Sequence, residues 1–345
     1  MTPSYTRQMM AFFLCLLFAG VCRADLVILQ YHHVSDATPP STSTSQSLFR
    51  AQLDMIAELD LEVVPLETGS RAALRGELND SQQLAITFDD AYRSVLTNAV
   101  PLLLERNLPF TIFVNTDSVG HQGYLNWQQL TELNAQTLVT IANHSADHSH
   151  LVRRPEESAT SWKARVSASL DNAQAALKQH LGTDVAMIAY PYGEFSAELE
   201  QLVAERGWYG YGQQSGAVGV SSVATRLPRF PMATGFGQLT SLKDKLLSKA
   251  FPIDASHLPD SPITANPPTL SLTLPQHFDQ NLLTCFASGH GRISVAADED
   301  WQQVSVRAPQ PFSSRRFRYN CTYPAGNGRY FWLSQSWLDL SQAED

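Results

Sequence analysis

Short apolar runs alternate with amphipathic helical patterns over residues 26–206 of this 345-residue chain. The apolar runs have the length of buried strands and lie at 26–30, 61–64, 84–88, 110–114, 138–142 and 185–189. The helical patterns lie at 48–59, 92–106, 156–181 and 197–206. This alternation predicts an α/β fold with a parallel sheet covered by helices, either open or closed into a barrel. In both arrangements, functional side chains gather at the carboxyl ends of the strands.

The pattern changes after about residue 231. Residues 251–268 contain five prolines, at 252, 259, 262, 267 and 268, which indicates a linker or an irregular wrap. Six short segments with turn residues between them have the pattern of strands, at 270–274, 282–286, 292–296, 303–306, 315–319 and 330–333, and they predict a small β-sandwich. We therefore expect an α/β domain over 25–250, a proline-rich linker over 251–268 and a small all-β domain over 269–345.

The C-terminal region is rich in aromatic residues and has one basic cluster. Aromatic side chains on short strands belong more often to a core than to a sugar-stacking platform. We expect a core role for Trp301, Tyr319, Tyr330, Phe331, Trp332 and Trp337. The basic cluster, which we expect to be solvated on an edge strand, consists of Arg315, Arg316 and Arg318.

The first 24 residues have the pattern of a secretory signal peptide. Arg7 precedes an apolar run at 9–21, and small residues ending at Ala24 form an acceptable cleavage site. A retained membrane anchor is the alternative, although the run is short for a bilayer. We expect a periplasmic or secreted protein, in which Cys285 and Cys321 remain after cleavage and form a disulfide. The formal net charge of −9 argues against nucleic acid as a partner.

Two strand ends carry residue types that can bind a metal. The run at 84–88 stops at Asp89 and Asp90, which could also simply cap the following helix. The run at 138–142 is followed by His144 and His148, whose spacing places both on one face of a helical turn. One carboxylate and two imidazoles form a three-ligand metal site with open positions, for which zinc is the default ion. The remaining carboxylate can then deprotonate a water that the metal has acidified.

Two further strand ends carry candidate residues. The first strand leads into Tyr31-His32-His33-Val34, and period-two alternation sends the two histidines to opposite sides, so only one faces the pocket. The run at 185–189 leads into Tyr190-Pro191-Tyr192-Gly193, where a tight turn could aim a backbone N–H at a developing oxyanion.

Taken together, these segments resemble the polysaccharide deacetylase family, also called the NodB-homology family or family 4 carbohydrate esterases. Thr87-Phe88-Asp89-Asp90 is similar to its first motif, Asn143-His144-Ser145-Ala146-Asp147-His148 to its second and Tyr190-Pro191-Tyr192-Gly193 to its third. The resemblance covers about residues 25–231. It implies a distorted (β/α)7-type barrel, a divalent metal and hydrolysis of acetyl groups on glycans.

The resemblance also assigns roles to individual residues. Asp89 becomes the general base, Asp90, His144 and His148 the metal ligands, and the Tyr192 N–H the oxyanion contact. Ala189 replaces the third-motif arginine that braces the base in the family, and either Arg226 or Arg229 could substitute for it. The usual late Leu-x-His motif is missing. Tyr31-His32-His33-Val34 is similar instead to a first-strand sequence in periplasmic poly-β-1,6-N-acetylglucosamine deacetylases, which implies that His32 is the general acid.

The resulting functional expectation is a monomeric, metal-dependent deacetylase of N-acetylated, N-acetylglucosamine-containing polysaccharide. Zn²⁺ is the expected ion, with Co²⁺, Ni²⁺ and Fe²⁺ as alternatives. The residues expected to contact substrate are Tyr190, Pro191, Tyr192, Trp127 and Arg229. Two other readings remain open: a non-catalytic glycan-binding protein on the same scaffold, and a metal amidohydrolase that acts on small molecules.

Overall fold

The computed structural model describes residues 24–78, 81–298 and 302–344. The expected signal peptide, apart from Ala24, and the aromatic residue Trp301 therefore lie outside the described residues. Among the helices within these ranges, none combines the length and apolar character that a membrane crossing requires.

The N-terminal two thirds of the chain contain eleven strands in the described residues. They are β1 (Leu26–Tyr31), β2 (His33–Val34), β3 (Ser43–Thr44), β4 (Glu62–Val63), β5 (Gln83–Phe88), β6 (Phe110–Val114), β7 (Val139–Asn143), β8 (Met187–Ala189), β9 (Tyr209–Tyr211), β10 (Ala217–Val218) and β11 (Phe230–Pro231). The α-helices are α1 (Gln46–Glu58), α2 (Leu66–Arg75), α3 (Val100–Glu105), α4 (Trp127–Asn134), α5 (Ala159–Leu181), α6 (Ala197–Glu205) and α7 (Leu239–Leu246).

Nine of these strands form one curved, mainly parallel sheet, whereas β2 and β3 pair with each other. Its order is β10-β1-β5-β6-β7-β8-β9, and only β10 runs antiparallel to its neighbour along this path. The two edges of the sheet are joined by the segment 227–231: Leu227 bridges Tyr211 of β9, and β11 pairs in parallel with β1. The expected distorted barrel is confirmed.

Side-chain alternation along the strands separates the barrel interior from the helical layer. On β1, Val27 and Leu29 belong to the core under the helices, whereas Leu26 and Ile28 belong to the interior core. The same period of two places Gln30 on the inner side, where its amide reaches Asp89. The carboxyl ends of the strands thus turn polar side chains toward one another.

The helix expected over 92–106 is present over 93–105, but its first half is irregular. The chain forms a π-helical turn over Val95–Ala99 before the short helix α3 begins. Pro101 lies in the first turn of α3, the place in a helix where its missing N–H does least harm. The apolar spacing of this region is therefore real, but regular α-helix occupies only its end.

The C-terminal region forms two sheets that share one core. Its strands are β12 (Lys249–Ala250), β13 (Thr269–Thr273), β14 (Thr284–Ala287), β15 (Gly291–Ile293), β16 (Val295–Ala297), β17 (Gln303–Arg307), β18 (Arg316–Gly326) and β19 (Arg329–Leu338). The five-stranded sheet has the order β12-β19-β18-β14-β15, and the three-stranded sheet has the order β13-β17-β16. Apolar side chains of both sheets belong to a single buried cluster, as expected for a sandwich.

Several expectations about this region are confirmed. Cys285 and Cys321 lie opposite each other on β14 and β18 and form the disulfide. Tyr319 and Trp337 are buried in the core. Strands β18 and β19 are longer than the runs at 315–319 and 330–333, because both strands continue into one tight hairpin turn around Asn327.

The C-terminal sheet packs directly on the barrel. β12 pairs in parallel with β19, and Trp332 of β19 contacts Phe230 of β11 with ring centroids 5.1 Å apart. The proline-rich segment wraps along β19, since the Leu338 N–H donates to the carbonyl of Ser261 at 2.8 Å. The exact domain boundaries remain a prediction.

Candidate metal centre and active site

The two acidic residues after β5 lie in an abrupt turn of the backbone. The Asp89 N–H still donates to Tyr31 of β1 at 2.9 Å, as in a continuing strand. Asp90 and Ala91 then adopt left-handed conformations, with φ of 71° and 54°. Helical backbone resumes at Arg93, but Asp89 bonds to Arg229 and Gln30. Asp90 lies beside two histidines, so these carboxylates do more than cap a helix. The turn sends the Asp89 and Asp90 side chains to different partners.

Asp90 lies beside the two histidines that follow β7. Its Oδ1 atom is 3.4 Å from His144 Nε2 and 3.2 Å from His148 Nε2. One ligand atom from each residue lies within 4.8 Å of the other two. The expected three-residue set is therefore brought together in one place.

The chemistry of these atoms fits a divalent metal. His144 Nδ1 is 2.7 Å from the carbonyl oxygen of Ala189, to which it must donate its proton. In the neutral imidazole, which is the form that binds a metal, His144 Nε2 is then an acceptor directed toward Asp90. Within the described residues, this buried Nε2 and the buried Asp90 Oδ1 have no hydrogen-bond partner. Such atoms are costly to bury unpaired, and a metal ion would satisfy both.

The two histidines reach this position through an irregular loop rather than the expected helical turn. Asn143 Oδ1 accepts from the Ser145 N–H at 2.7 Å, and Ser145 Oγ accepts from the His148 N–H at 3.0 Å. Ser145 and His148 both have positive φ, 63° and 51°. Side-chain capping of the backbone therefore brings the pair together where helical periodicity was expected to do so.

Asp89 is fully buried and tied to Arg229. The guanidinium donates from Nη1 to Oδ1 at 2.7 Å and from Nη2 to Oδ2 at 2.8 Å, and Gln30 adds a third bond of 2.7 Å. Burial by itself raises the pKa of Asp89, but the Arg229 charge and its hydrogen bonds outweigh burial and lower the pKa to about 2. Asp89 is therefore ionised at neutral pH.

Of the two arginines that could replace the missing third-motif arginine, Arg229 is the one that contacts Asp89. It lies in the segment that closes the barrel and is fully buried, so the expectation that it contacts substrate is wrong. It occupies instead the bracing position. Arg226 points elsewhere, donating to the carbonyl of Ala255 at 2.6 Å and lying 3.6 Å from a Glu200 oxygen.

The two adjacent histidines of the first strand face opposite ways, as period-two alternation predicts. His32 Nε2 lies 4.0 Å from Asp89 Oδ2, and burial lowers the pKa of His32 against the attraction of Asp89 and Asp90. His33 stacks on Tyr92 with ring centroids 3.6 Å apart, and its Nδ1 is 3.2 Å from Ser94 Oγ. His32 therefore lies beside the carboxylates, whereas His33 packs against Tyr92 and Ser94 on the other side of the chain.

An open groove of about 370 Å³ runs past these groups. Its lining residues are Gln30, His32, Ser41, Thr42, Asp90, Tyr92, His148, Tyr192, Gln213, Pro231, Met232, Ala233, Phe236, Arg316 and Arg318. Tyr192 belongs to the turn after β8 and has a left-handed backbone, φ 58° and ψ 2°. Its ring stacks on His150 at 4.1 Å and meets the edge of His148 at 4.7 Å.

Three other expected substrate contacts do not reach the groove. Tyr190 is fully buried and donates its hydroxyl to the carbonyl of Thr225 at 2.6 Å. Pro191 is buried in the turn. Trp127 stacks on His180 of α5 at 4.1 Å. These three apolar side chains pack inside the protein or against a helix. A position in or near a motif therefore did not predict that they would be exposed in the groove.

Sequence reasoning missed two groove residues, Arg316 and Arg318. It assigned them to a solvated edge strand, but β18 lies between β19 and β14 in the interior of its sheet. Their side chains share one face because they are two residues apart on a strand. That spacing was visible in the sequence, whereas the packing of this face against the groove was not.

The fold and the site define an α/β barrel with a candidate metal set and a braced carboxylate at the carboxyl ends of its strands. Residues 77–210 match the family model of polysaccharide deacetylase. Over this stretch, the chain is similar to the polysaccharide deacetylase family.

Two curated relatives show the same similarity. A polysaccharide deacetylase candidate of Bacillus subtilis, YxkH, is 26% identical over 185 residues, which cover 54% of this chain and 63% of YxkH. A Staphylococcus aureus poly-beta-1,6-N-acetyl-D-glucosamine N-deacetylase is 24% identical over 194 residues, covering 54% of this chain and 67% of the relative. The chain thus spans about two thirds of the length of these relatives.

Solved structures show the same fold. The structure of IcaB from Ammonifex degensii has a TM-score of 0.55 at 24% identity, covering 64% of this chain and 94% of IcaB. The Streptococcus pyogenes deacetylase PplD, solved in complex with acetate, has a TM-score of 0.55 at 21% identity, covering 61% of this chain and 94% of PplD. The C-terminal sandwich lies beyond the residues matched by the family model.

The Arg229–Asp89 pair predicts a specific pH dependence of stability. Because the pKa of Asp89 falls from its ordinary 3.8 to about 2, the pair stabilises the fold above pH 4 and this contribution is lost as the pH falls through about 2. In Arg229→Gln, burial without the Arg229 charge should raise the pKa of Asp89 above 3.8, so stability should decrease as the pH rises above that value. Urea unfolding at a series of pH values should show this reversal, with a loss of about 3 to 5 kcal/mol at pH 7.

Arg292→Gln is the control, because it removes an exposed guanidinium of β15 that does not touch Asp89. It should keep the wild-type pH dependence. An Arg229→Gln variant with that same dependence would contradict the bracing role.

Proposed function

We propose that this chain hydrolyses the acetamide groups of an N-acetylglucosamine-containing polysaccharide in a metal-dependent reaction. The observation that carries the proposal is the pair of orphaned buried atoms, His144 Nε2 and Asp90 Oδ1, next to the Arg229-braced Asp89 at the wall of an open groove. A carboxylate kept ionised beside a candidate metal set is the arrangement that water-dependent hydrolysis requires.

Asp90, His144 and His148 are the proposed ligands, and their mixed nitrogen and oxygen donors suit Zn²⁺, with Co²⁺, Ni²⁺ and Fe²⁺ as alternatives. When bound, such an ion would polarise the acetamide carbonyl and make the attacking water more acidic. The remaining steps belong to side chains and backbone groups of this chain.

Asp89 is the proposed general base. Its low pKa makes it a weak base in isolation, but it is always ionised, and Arg229 and Gln30 fix the orientation of its carboxylate. His32 lies 4.0 Å away and is neutral at rest because burial lowers its pKa. A proton that Asp89 takes from water can therefore pass to His32, which delivers it to the leaving amine.

The Tyr192 N–H is the proposed contact for the oxygen that becomes negative during attack. The left-handed turn at Tyr192 lies beside the metal-ligand set, since the Tyr192 ring contacts that of His148. Gly193, the next residue, also has positive φ and is approached by the Gln213 side chain where a Cβ would lie, 2.6 Å away. A glycine is therefore needed for this turn to form.

Two features favour a polysaccharide over a small amide. The site opens onto a groove rather than a closed pocket, and Phe236 on its rim is 54% exposed, as expected of an aromatic surface that stacks on a sugar ring. A non-catalytic glycan-binding protein would be expected to have lost its reactive side chains. The proposed base, acid and metal ligands are all present in this chain, which favours an enzyme. A periplasmic or secreted, monomeric enzyme is proposed in accordance with the Cys285–Cys321 disulfide.

Release of acetate from a panel of substrates tests the proposed function. Poly-N-acetylglucosamine, chitooligosaccharides and peptidoglycan offer N-acetyl groups, whereas acetylxylan offers only O-acetyl groups. We expect acetate from at least one N-acetylated glycan, complete loss of activity with a chelator, and recovery when Zn²⁺ is restored. Undiminished activity in metal-free protein, or hydrolysis of small amides alone, would contradict the proposal.

Adjacent substitutions separate the base from the metal ligand. Asp89→Asn should lower kcat by a factor of about 10² to 10⁴ while metal content after dialysis stays near one ion per chain, because the three proposed ligands are intact. Asp90→Asn should lose both activity and metal. Equal metal content in the two variants would show that these roles are wrongly assigned.

The two first-strand histidines provide a second matched pair. His32→Ala should reduce kcat by a factor of about 10² or more, since it removes the proposed acid. His33→Ala should affect mainly stability, because it removes only the stacking on Tyr92 and the contact with Ser94. Steady-state kinetics and urea unfolding of both variants measure this, and the assignment fails if only His33→Ala is inactive.

A further inference from the structure

The C-terminal sandwich supplies one wall of the proposed catalytic groove. Arg316 and Arg318 of β18 line it together with Tyr192 and Gln213 of the barrel. Arg318 donates from Nη1 to the carbonyl of Gln213 at 2.7 Å, and the Arg316 guanidinium lies 5.2 Å from the centroid of the Tyr192 ring. These contacts hold both guanidinium groups at the mouth of the barrel.

The two arginines differ in their electrostatic environment. Arg316 donates to Glu194 Oε1 at 3.0 Å, and the same carboxylate is shared with Arg315 and His150. For Arg318, no carboxylate oxygen of the described residues forms an ion pair within 4.0 Å. Burial lowers the pKa of Arg318, which shows that its surroundings disfavour the positive charge. A half-buried guanidinium without a counter-ion is stabilised when a negatively charged oxygen binds it.

A second, smaller cavity lies behind the same two side chains. Its volume is about 120 Å³, and it shares Arg316, Arg318, Tyr192 and Gln213 with the groove. Trp337 and Ser261 also line it, and within the described residues the buried Trp337 Nε1 and Ser261 Oγ have no hydrogen-bond partner. The indole N–H can only donate, so this cavity, like Arg318, favours an acceptor oxygen.

We propose that Arg318, supported by Arg316, forms a subsite for a carboxylate carried by the glycan near its acetamido sugar. The substrate class is then an acidic N-acetylated polysaccharide, in which a uronate lies close to the acetylated residue. A sugar with a free amine is disfavoured in the same place because its ammonium group is repelled. This inference rests on the proposed function, which it narrows to a charge class of substrate.

The experiment compares three soluble oligosaccharides of equal length. One alternates N-acetylglucosamine with glucuronate, one contains N-acetylglucosamine alone, and one is the partly deacetylated form of the second. Calorimetric binding to the metal-loaded full chain should be tightest for the acidic oligosaccharide and weakest for the amine-bearing one. Arg318→Gln should reduce the ratio of acidic to neutral affinity about tenfold, the usual effect of losing one charge-assisted hydrogen bond. Arg318→Lys should retain part of the preference, because it keeps the charge but not the planar fork.

Arg292→Gln is the matched control, since it removes an exposed arginine of β15 in the same sheet. It should leave the affinity ratio unchanged. The inference is overturned if the wild-type protein binds the acidic and neutral oligosaccharides equally, or if Arg318→Gln weakens both by the same factor, which would indicate a purely structural role. Failure of the proposed function is distinct, because it would appear as no acetate release from any of the three while the binding preference could still be measured.

Discussion

The buried pair of Asp89 and Arg229 is the interaction on which the rest of this structure depends. A carboxylate with no exposure to water is stable only if a cation and hydrogen bonds satisfy it. Arg229 donates two hydrogen bonds to Asp89, and Gln30 donates the third. Arg229 also donates to the carbonyl of Gly212 and to Thr87. One side chain thereby joins the end of β5, the segment after β9 and the segment that closes the barrel.

This pair also couples closure of the barrel to assembly of the site. Arg229 belongs to the short segment that bridges β9 and β1, so it reaches Asp89, 140 residues earlier in the chain, only when that segment is in place. Until then the carboxylate is without its cation. The same strand pairing that completes the sheet therefore completes the electrostatic environment of the proposed base.

Much of the site could be predicted because it follows from local rules. Polar residues at the ends of buried strands were sufficient to select Asp89, Asp90, His144 and His148, and period-two alternation separated His32 from His33. The role of Arg229 could not be decided, because β11 has only two residues and its pairing depends on the whole barrel. A two-residue strand leaves no periodic signal in the sequence.

The errors have a common physical origin in long-range packing. Tyr190 lies in a motif yet is covered by the core. Arg316 and Arg318 lie far from every motif, yet an interior strand presents them to the groove. The loop that carries His144 and His148 is not helical. Its backbone N–H groups donate to the side-chain oxygens of Asn143 and Ser145. In each case, burial and side-chain capping decided an outcome that residue type alone left undetermined.

The position of β18 places the residues proposed for bond breaking and one wall of the groove on two different parts of the fold. The groups proposed for bond breaking lie on the barrel, whereas one wall of the groove belongs to a sandwich with its own core and its own covalent cross-link. Under the proposed function, a substitution on the exposed face of that wall would alter which polymer fits without disturbing the reactive centre. Selectivity would then depend on one β-strand, while the groups proposed for bond breaking stay unchanged.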